Sequence, residues 1–392
     1  MNPLVIPFFY ESFSLYQSRG YSVEDCVELD KEETIDAIVQ SLRKNGFEVV
    51  PVGDIKELVH CIARGEHERW DLAFSISEGM HGVGREAQIP GVLEAYQIPH
   101  VFSDAATLSL CLDKGKTKMV LEHMGIPTAP FAVVPSSWSI GKGISQILDQ
   151  SRHAENLKQM PLFIKPACEG SSKGIYPFSK VESIHDLEEG VQKLQTRFPG
   201  QSILIEKYLA GREYTTSILG SGDSARVIGT VHHNWERTPP QSGTKANEIK
   251  SNLSDGDFYS FDNKNVLLED PVDRMINGED SSEVQGVERL ALEAWRKLEC
   301  YDVGRVDVRC GLDGKPYVLE VRTLYTMHRL VADNIACQLN PIPGLRPKWS
   351  WLADTALHHG MTHEDLLGAV VECALERYPR LNSKRRGIPS GV

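Results

Sequence analysis

Two acidic residues near position 310 have the types and the spacing of a metal site. Residues 301–320 (YDVGRVDVRCGLDGKPYVLE) predict two antiparallel strands, because residues 312–315 (LDGK) between them tolerate the positive φ of a tight turn. Asp307 lies on the first strand and Glu320 ends the second, so both carboxylates could approach one cation. Carboxylate oxygens suit Mg²⁺ or Mn²⁺ held partly by phosphates. The alternative is a hairpin with two ordinary solvated acids.

A second group of residues has the order of a nucleotide clamp. Lys165 ends a predicted strand at 161–165 and is followed by residues 169–175 (EGSSKGI), whose amides and hydroxyls can surround phosphate oxygens. The next predicted strand leads to Glu206 and a short hinge, and Glu213 then begins a further strand. A flexible loop beside a lysine, followed by an acidic hinge, favours binding of a nucleoside triphosphate.

Two further segments give weaker signals. Residues 77–86 (SEGMHGVGRE) could bind an anion at a helix N-terminus, but many glycine-rich loops only turn the chain. Residues 115–117 (GKT) are not a P-loop, because Leu110 stands where that motif requires glycine. The lysines at 114, 116 and 118 are electrostatically misplaced on a first helical turn. An anionic ligand would relieve this repulsion, and a solvated helix face is the alternative.

The first hundred residues alternate between predicted strands and predicted helices. This alternation is typical of a parallel, doubly wound sheet, in which ligands bind beyond the carboxyl ends of the strands. The predicted strands are 4–10, 47–52, 72–76 and 100–102, and the predicted helices are 32–44, 55–63 and 84–95.

The composition is that of a soluble globular protein with two or three subdomains, since 392 residues include 41% hydrophobic and 24% charged residues. The net charge of -12 argues against a nucleic-acid partner. There is no 18-residue apolar run and no signal-peptide pattern, so we expect no membrane association. The eight cysteines include no C-x-x-C pair, which favours reduced thiols in the cytoplasm over disulfides or zinc.

The order of these segments resembles the ATP-grasp superfamily, and within it the D-alanine–D-alanine ligase family. The similarity extends from about residue 71 to residue 367. It is carried by residues 85–90 (REAQIP), 112–118 (LDKGKTK), 125–128 (GIPT), 164–166 (IKP), 169–172 (EGSS), 206–209 (EKYL), 211–213 (GRE), 258–264 (FYSFDNK), 304–307 (GRVD), 319–320 (LE) and 340–344 (NPIPG).

The resemblance implies an α/β protein with an ATP-grasp fold and an N-terminal doubly wound parallel-sheet domain. We expect that domain at residues 1–105, a central ATP-grasp subdomain at 106–200 and a C-terminal one at 201–380. Residues 321–338 would be an insertion in the last of these, and residues 381–392 a tail. The resemblance also implies a cytoplasmic enzyme with small-molecule substrates, and a homodimer as the assembly.

The family's functional residues can be carried over position by position. The implied nucleotide ligands are Lys114 and Lys165 at the phosphates, Ser171 and Ser172 above them, Glu206, Tyr208 and Leu209 near the adenine, Glu213 at the ribose and Lys264 as a further phosphate ligand. The implied catalytic residues are Arg305 and Gly344, which would stabilise the oxyanion, together with Ser171. Asp307, Glu320 and Asn340 would hold two Mg²⁺ ions. A substrate carboxylate would attack the γ-phosphate of ATP, and an amine would then displace phosphate.

Two features at the expected substrate end depart from the family pattern. Asn265 replaces a tyrosine that helps to close the site, and residues 8–13 (FFYESF) replace a glycine-rich loop whose glutamate binds the first substrate's ammonium group. Glu11 is a weak substitute for that glutamate, so a D-alanine dipeptide is not the default product. Residues 232–252 predict a mobile lid, in which Trp235 and Arg237 face either substrate or solvent.

The largest departure follows Glu320. The family has asparagine two residues later, on the same strand face, but this chain has Arg322. A fixed cation about 4 Å from Mg²⁺ would cost roughly 8 kcal/mol at an effective dielectric constant of about 20. Removing residues 321–338 would join Glu320 to Leu339 and Asn340 and restore the family's Glu-x-Asn-Pro. We therefore favour a retained intron translated in frame, from a eukaryote such as a fungus, over a true insertion. Either origin predicts an irregular or poorly packed segment.

Two classes of function remain open. One is an ATP-dependent carboxylate–amine ligase that makes an amide or peptide bond, with small amino acids as substrates. The other is a binding protein that keeps the nucleotide clamp but has lost turnover, as Arg322 and Asn265 suggest. Release of ADP only when an amine substrate is present distinguishes the first class from the second.

Overall fold

The computed structural model describes residues 3–139, 143–233, 258, 274–275, 281–323 and 351–381. Three sheets organise this part of the chain, and the cysteines within it are free thiols, as expected. None of the helices described is long and apolar enough to cross a membrane.

The N-terminal domain is the doubly wound unit that the sequence predicts. Its strands are β1 (Val5–Phe9), β2 (Glu48–Gly53) and β3 (Phe74–Ser75), all parallel in the order β2-β1-β3. Phe8 and Phe9 point to opposite faces, because side chains alternate along a strand, and each joins a separate buried cluster. The helices are α1 (Phe13–Ser18), α2 (Glu32–Lys44), α3 (Ile55–Ala63) and α4 (Gln88–Ala95), with short 3₁₀ helices at Glu66–Arg69 and Arg85–Ala87.

Two helices of this domain show why these residues fold as they do. Helix α2 buries Ile38 and Leu42 on one face and begins with two acids that suit the positive end of the helix dipole. Helix α3 begins at Asp54, whose carboxylate accepts hydrogen bonds from the amides of Lys56 and Glu57. Both helices match the predicted bounds. The predicted strand at 100–102 is reduced to a single bridge between Ala73 and His100.

Helices α5 (Ala105–Leu112) and α6 (Lys114–His123) lead to the middle sheet. That sheet is antiparallel, in the order β4-β7-β5-β6, and buries Ile164 and Ile205 against its helices. Because β7 pairs with β4 and β5, the middle sheet extends beyond residue 200, where the sequence predicted a boundary. Its elements are β4 (Phe131–Val134), α7 (Ile144–Gln150), α8 (Ala154–Leu157), β5 (Leu162–Pro166), β6 (Lys180–Val181), α9 (Ile184–Arg197) and β7 (Ile203–Lys207), with a 3₁₀ helix at Pro177–Ser179.

The C-terminal sheet is antiparallel, in the order β10-β9-β8-β11-β12. The predicted hairpin is its β11–β12 pair, and Gly314 adopts the positive φ of 77° that the turn requires. A long amphipathic helix, α10, covers the sheet and buries Trp295. The elements are β8 (Glu213–Leu219), β9 (Arg226–His233), β10 (Arg274–Met275), α10 (Ser282–Lys297), β11 (Val303–Cys310) and β12 (Pro316–Arg322), with a 3₁₀ helix at Gly222–Ser224.

The last helices return to the N-terminal domain. After α11 (Trp351–His358), helix α12 (His363–Arg377) begins with a capping box between Thr362 and Asp365, as predicted. Its apolar face packs against the buried face of the N-terminal sheet. Arg377 of α12 also binds Asp302, which accepts a 2.7 Å hydrogen bond from the amide of Phe102. These contacts tie the C-terminal sheet to the N-terminal domain.

Candidate nucleotide and metal site

The candidate site is a cavity between the middle and the C-terminal sheets. It brings together all the predicted nucleotide and metal residues that fall within the described part of the chain. Lys264, Asn340 and Gly344 lie outside that part. The residues that line it include Lys114, Phe163, Lys165, Glu169, Ser171, Ser172, Lys173, Glu206, Tyr208, Leu209, Glu213, Thr215, His233, Phe258, Arg305, Asp307, Arg309 and Glu320.

One carboxylate of the cavity is buried between two lysines. Lys165 Nζ lies 2.8 Å from Glu206 Oε1, and Lys118 Nζ lies 3.0 Å from Glu206 Oε2. Burial opposes ionisation of Glu206, but the two ammonium groups outweigh it and lower its pKa to about 2. Burial lowers the pKa of Lys118, while Glu206 raises that of Lys165 against the effect of burial. Lys165 therefore carries a fixed positive charge into the cavity.

The hinge after β7 is held by an arginine of β11. Arg309 donates hydrogen bonds to Glu213 at 3.0 Å and to the hydroxyl of Tyr208 at 3.1 Å. Its guanidinium also lies over the Tyr208 ring, 5.1 Å from the centroid. Leu209 lines the cavity beside them. Arg309 thus fixes Tyr208 and Glu213, to which the family resemblance assigns nucleoside recognition.

The glycine- and serine-rich loop adopts an unusual backbone conformation. Ser171 and Ser172 have φ angles of 48° and 61°, in the left-handed region that residues with a Cβ rarely adopt. Lys114 Nζ donates a 2.5 Å hydrogen bond to the carbonyl oxygen of Glu169, and Lys173 pairs with the Glu169 carboxylate at 3.1 Å. Backbone strain of this kind is typical of ligand clamps, and here it lies at the mouth of the cavity.

Asp307 and Glu320 face each other across the β11–β12 pair, as the hairpin predicts. Asp307 accepts a 2.6 Å hydrogen bond from Thr215, and Glu320 Oε1 lies 3.2 Å from Lys114 Nζ. Burial raises the pKa of Glu320, but Lys114 and Arg322 outweigh it, so that its pKa falls to about 2. Both carboxylates line the cavity and offer hard oxygen ligands, so this pair fits one Mg²⁺ shared with phosphate oxygens. Within the described ranges, no group of three or more His, Cys, Asp or Glu side chains could hold a metal by itself.

Arg305, the predicted oxyanion ligand, lies on the same strand as Asp307. Its Nε is 3.5 Å from Asp307 Oδ1, is buried and makes no hydrogen bond to the described residues. A buried donor without a partner is costly, and an anion in the cavity would satisfy it. The placement of Arg305 is therefore compatible with the role that the family resemblance implies.

Arg322 is buried in a cluster of carboxylates, one of which, Glu320, lines the cavity. Its guanidinium lies 3.4 Å from Glu78, 3.6 Å from Glu86, 3.8 Å from Glu28 and 3.6 Å from Glu320. Arg85 also binds Glu28, at 2.7 Å. Burial opposes ionisation of Glu28, but the two arginines lower its pKa to about 2. The first three carboxylates belong to the N-terminal domain, so Arg322 links that domain to a metal candidate.

This arrangement corrects one expectation about residues 321–338. Val321 and Arg322 continue strand β12, where they pair with Val306 and Arg305, and both are buried. The start of the segment is therefore neither irregular nor poorly packed, because the β-ladder and the acidic cluster hold it. Residues 324–338 lie outside the described residues.

The fold also gives Glu11 a role that differs from substrate binding. Its carboxylate accepts hydrogen bonds from Ser77 Oγ and from the amides of Glu78 and Gly79. Glu11 thus anchors the loop that follows β3. Burial, the largest effect, raises its pKa to about 7 in spite of these hydrogen bonds.

Some predicted residues fall outside the part of the chain that the structure describes. They are Trp235, Arg237, Lys264, Asn265, Asn340 and Gly344. The predicted lid at 232–252 begins too early, because His232 and His233 belong to β9. His233 Nε2 lies 2.9 Å from Thr215 Oγ1 and lines the cavity.

Sequence reasoning missed several residues of the site. Lys118 carries a signal, since it is one of the lysines that are electrostatically misplaced at the start of α6. Arg309 and His233 carried none, because only strand pairing brings them to the cavity. Phe163 and Phe258 also line it, with their rings edge to face at 5.1 Å.

Comparisons with known proteins agree with this geometry. The family model described as "D-ala D-ala ligase C-terminus" matches residues 120–372. D-alanine–D-alanine ligase A of Chromobacterium violaceum is 31% identical over 308 residues, which cover 78% of this chain and 69% of that protein. D-alanine–D-alanine ligase of Nitrosococcus oceani is 30% identical over 319 residues, or 80% of this chain and 84% of the relative.

Solved structures show the same fold. D-alanine–D-alanine ligase from Bacillus anthracis complexed with ATP has a TM-score of 0.63 at 21% identity, covering 96% of this chain and 99% of that one. The ligase from Coxiella burnetii has a TM-score of 0.60 at 17% identity, with 98% of each chain covered. The predicted α/β ATP-grasp fold is therefore confirmed. By its sequence and by the residues gathered at its cavity, this chain belongs to the D-alanine–D-alanine ligase family of ATP-dependent carbon–nitrogen ligases.

Proposed function

We propose that this chain joins a carboxylate to an amine, through an acyl phosphate, at the expense of ATP. The observation that carries this proposal is that one cavity of the described part of the chain holds two lysines, a strained serine loop and two facing carboxylates. In this proposal Lys114 and Lys165 bind the ATP phosphates and the Ser171–Ser172 loop covers them. Tyr208 and Leu209 contact the adenine, with Glu206 at its edge and Glu213 at the ribose.

The chemistry then follows from charge and position. A substrate carboxylate oxygen attacks the γ-phosphorus and ADP leaves, which forms the acyl phosphate. The amine attacks the acyl carbon, loses a proton and expels inorganic phosphate. Arg305 stabilises the oxyanion of the tetrahedral intermediate, since its buried Nε has hydrogen-bonding capacity to spare. The chain contributes orientation and charge neutralisation rather than a covalent nucleophile.

Asp307 and Glu320 would hold Mg²⁺ in this mechanism, and Mn²⁺ would suit the same oxygens. When bound, such a cation supplies charge neutralisation at the phosphates. Lys264 and Gly344 keep the roles that the family resemblance implies, as predictions, and Asn340 stays a predicted ligand of the Mg²⁺ at Asp307 and Glu320. A cytoplasmic location and a homodimer are likewise proposed from the resemblance.

Small amino acids are the substrates that we propose. The named relatives are D-alanine–D-alanine ligases, which makes D-alanine the first amino acid to test. The Glu11 carboxylate accepts hydrogen bonds from the loop that it anchors. It therefore does not supply the ligand for the substrate's ammonium group that we expect in an enzyme making a D-alanine dipeptide. The substrate screen should therefore include other small amino acids of both configurations.

A second candidate is a nucleotide-binding protein without turnover. The observation that favours it is Arg322, whose guanidinium lies 3.6 Å from the metal candidate Glu320.

An assay of ADP release distinguishes the two candidates. If the chain is a ligase, it should release ADP from ATP and Mg²⁺ when amino acids are supplied singly or in pairs. Nucleotide binding without amine-dependent ADP release would support the second candidate. The same assay on a variant that lacks residues 321–338 tests whether this segment suppresses turnover.

A further inference from the structure

Arg322 stands where the family resemblance implies an amide ligand for a second Mg²⁺ ion. We propose that Arg322 supplies the positive charge of that ion at Glu320, so that this chain binds an adenine nucleotide with a single divalent cation. The proposal rests on the proposed function, because it assumes that the cavity binds a nucleotide.

The strand geometry aims Arg322 at the metal candidates. Glu320 and Arg322 are two residues apart on β12 and therefore share one face of the sheet. Arg322 Nη1 lies 3.6 Å from Glu320 Oε1, the same oxygen that approaches Lys114 Nζ at 3.2 Å. Two protein cations, Lys114 and Arg322, thus already neutralise this carboxylate oxygen.

The guanidinium cannot swing away from this position without breaking other contacts. Its side chain is only 4% exposed, and Glu28, Glu78 and Glu86 surround its outer edge. Gly170 of the serine loop lies against it so closely that a Cβ there would be 2.4 Å from Arg322 Nη1. The acidic cluster and the loop backbone therefore hold the cation beside Glu320.

A guanidinium excludes a metal ion for two reasons. It has only N–H donors and no lone pair to offer, so the position loses a ligand. It also carries a permanent positive charge, which repels a divalent cation at short range. On the Asp307 side, the Thr215 hydroxyl at 2.6 Å and Arg305 Nε at 3.5 Å both approach Oδ1. Neither contact involves Oδ2, the oxygen that we assign to the single cation.

Counting Mn²⁺ ions in the complex with ADP tests this proposal. The purified chain is saturated with ADP, bound nucleotide and bound Mn²⁺ are measured by equilibrium dialysis, and the complex is examined by electron paramagnetic resonance. We expect one Mn²⁺ per bound ADP and the spectrum of an isolated ion. In the variant Arg322→Asn we expect two, with spin coupling, because ions of a two-metal site lie about 3.5–4 Å apart.

Glu86→Gln is the matched control, since it alters the same cluster but leaves the arginine beside Glu320. It should bind one Mn²⁺ per ADP. Two Mn²⁺ ions, or none, per ADP in the wild type would overturn the inference, and that measurement stands even if Arg322→Asn fails to fold. A wild-type chain that binds no ADP would overturn the proposed function and the inference with it.

Discussion

Lys165 and Glu206 are diagonal neighbours on adjacent antiparallel strands of the middle sheet, with Lys165 Nζ 2.8 Å from Glu206 Oε1. Lys118 Nζ forms an ion pair with the other oxygen of the same carboxylate, Glu206 Oε2, at 3.0 Å. The pair has two consequences. Glu206 fixes the position of the Lys165 ammonium group, and Lys118 keeps Glu206 neutralised when Lys165 turns towards a phosphate.

Replacing Lys165 should therefore impair catalysis more than folding. In Lys165→Met, Glu206 keeps Lys118 as its partner, so the variant should fold. Loss of a charged donor to the phosphates should lower kcat/KM for ATP by about 10²- to 10³-fold. Steady-state ADP release measures this effect. Lys158→Met is the control, because Lys158 pairs with Glu155 on the surface. A Lys165→Met variant as active as that control would refute the phosphate role.

Replacing Asp307 should raise the requirement for divalent cation. Asp307→Asn removes one negative charge from the carboxylate pair, so activity should fall and half-maximal activity should need more Mg²⁺. Titration of ADP release with Mg²⁺ at saturating ATP is the measurement. The control is Asp313→Asn, in the exposed turn of the same hairpin. Equal Mg²⁺ dependence in the two variants would contradict the assignment of Asp307 as a metal ligand.

The backbone of the serine loop should not tolerate a side chain at residue 170. A Cβ on Gly170 would lie 2.2 Å from Glu28 Oε1, and neither Glu28 nor Arg322 has room to move. We expect Gly170→Ala to lower the free energy of unfolding by about 1–3 kcal/mol, the usual effect of overpacking. Chemical denaturation measures the change.

Gly286→Ala is the matched control for that substitution. Gly286 lies within α10, and a Cβ there would be 4.0 Å from its nearest neighbour, Pro316. Alanine should raise stability by up to about 1 kcal/mol, because it favours the helix. If both alanine variants had the same free energy of unfolding, this would refute the close packing of Gly170 against Glu28 and Arg322.

Glu11 should make the stability of the protein depend on pH. Its pKa is about 7 in the folded protein, above the ordinary value of 4.5, so the folded state binds its proton more tightly. The contribution of Glu11 to stability is therefore complete below about pH 4.5 and is lost as the pH rises through 7. Between pH 5 and pH 8 the unfolding free energy should fall by about 2.5 kcal/mol.

The variant Glu11→Gln isolates this effect, because glutamine does not titrate. The difference in unfolding free energy between wild type and variant should shift by that amount across the same pH range. A difference that is independent of pH would show that Glu11 keeps an ordinary pKa.

Local sequence patterns predicted most of the fold. The bounds of α2 and α3 follow from hydrophobic spacing and from the Asp54 cap, and the β11–β12 hairpin follows from its Asp-Gly turn. The extent of the middle sheet did not follow, because the pairing of β7 with both β4 and β5 is a long-range choice that no local pattern records.

The candidate site likewise combines features that the local sequence predicts with features that depend on long-range contacts. The order of lysine, serine loop, hinge and acids was visible in the sequence, since these residues are close along the chain. The surroundings of Arg322 were not, because its partner Glu78 is 244 residues away. The departure from the family pattern at Arg322 could therefore be recognised in the sequence. The carboxylate cluster that surrounds Arg322 could be recognised only in the folded structure.

The central claim is that a substrate carboxylate oxygen is transferred to the γ-phosphate of ATP. It is tested most directly with an amino acid that supports ADP release, labelled with ¹⁸O in its carboxylate and incubated with ATP and Mg²⁺. Mass spectrometry of the inorganic phosphate released should find one ¹⁸O atom in each phosphate formed together with product. Phosphate without ¹⁸O, formed at the same rate as the product, would contradict the acyl phosphate and the account built on it.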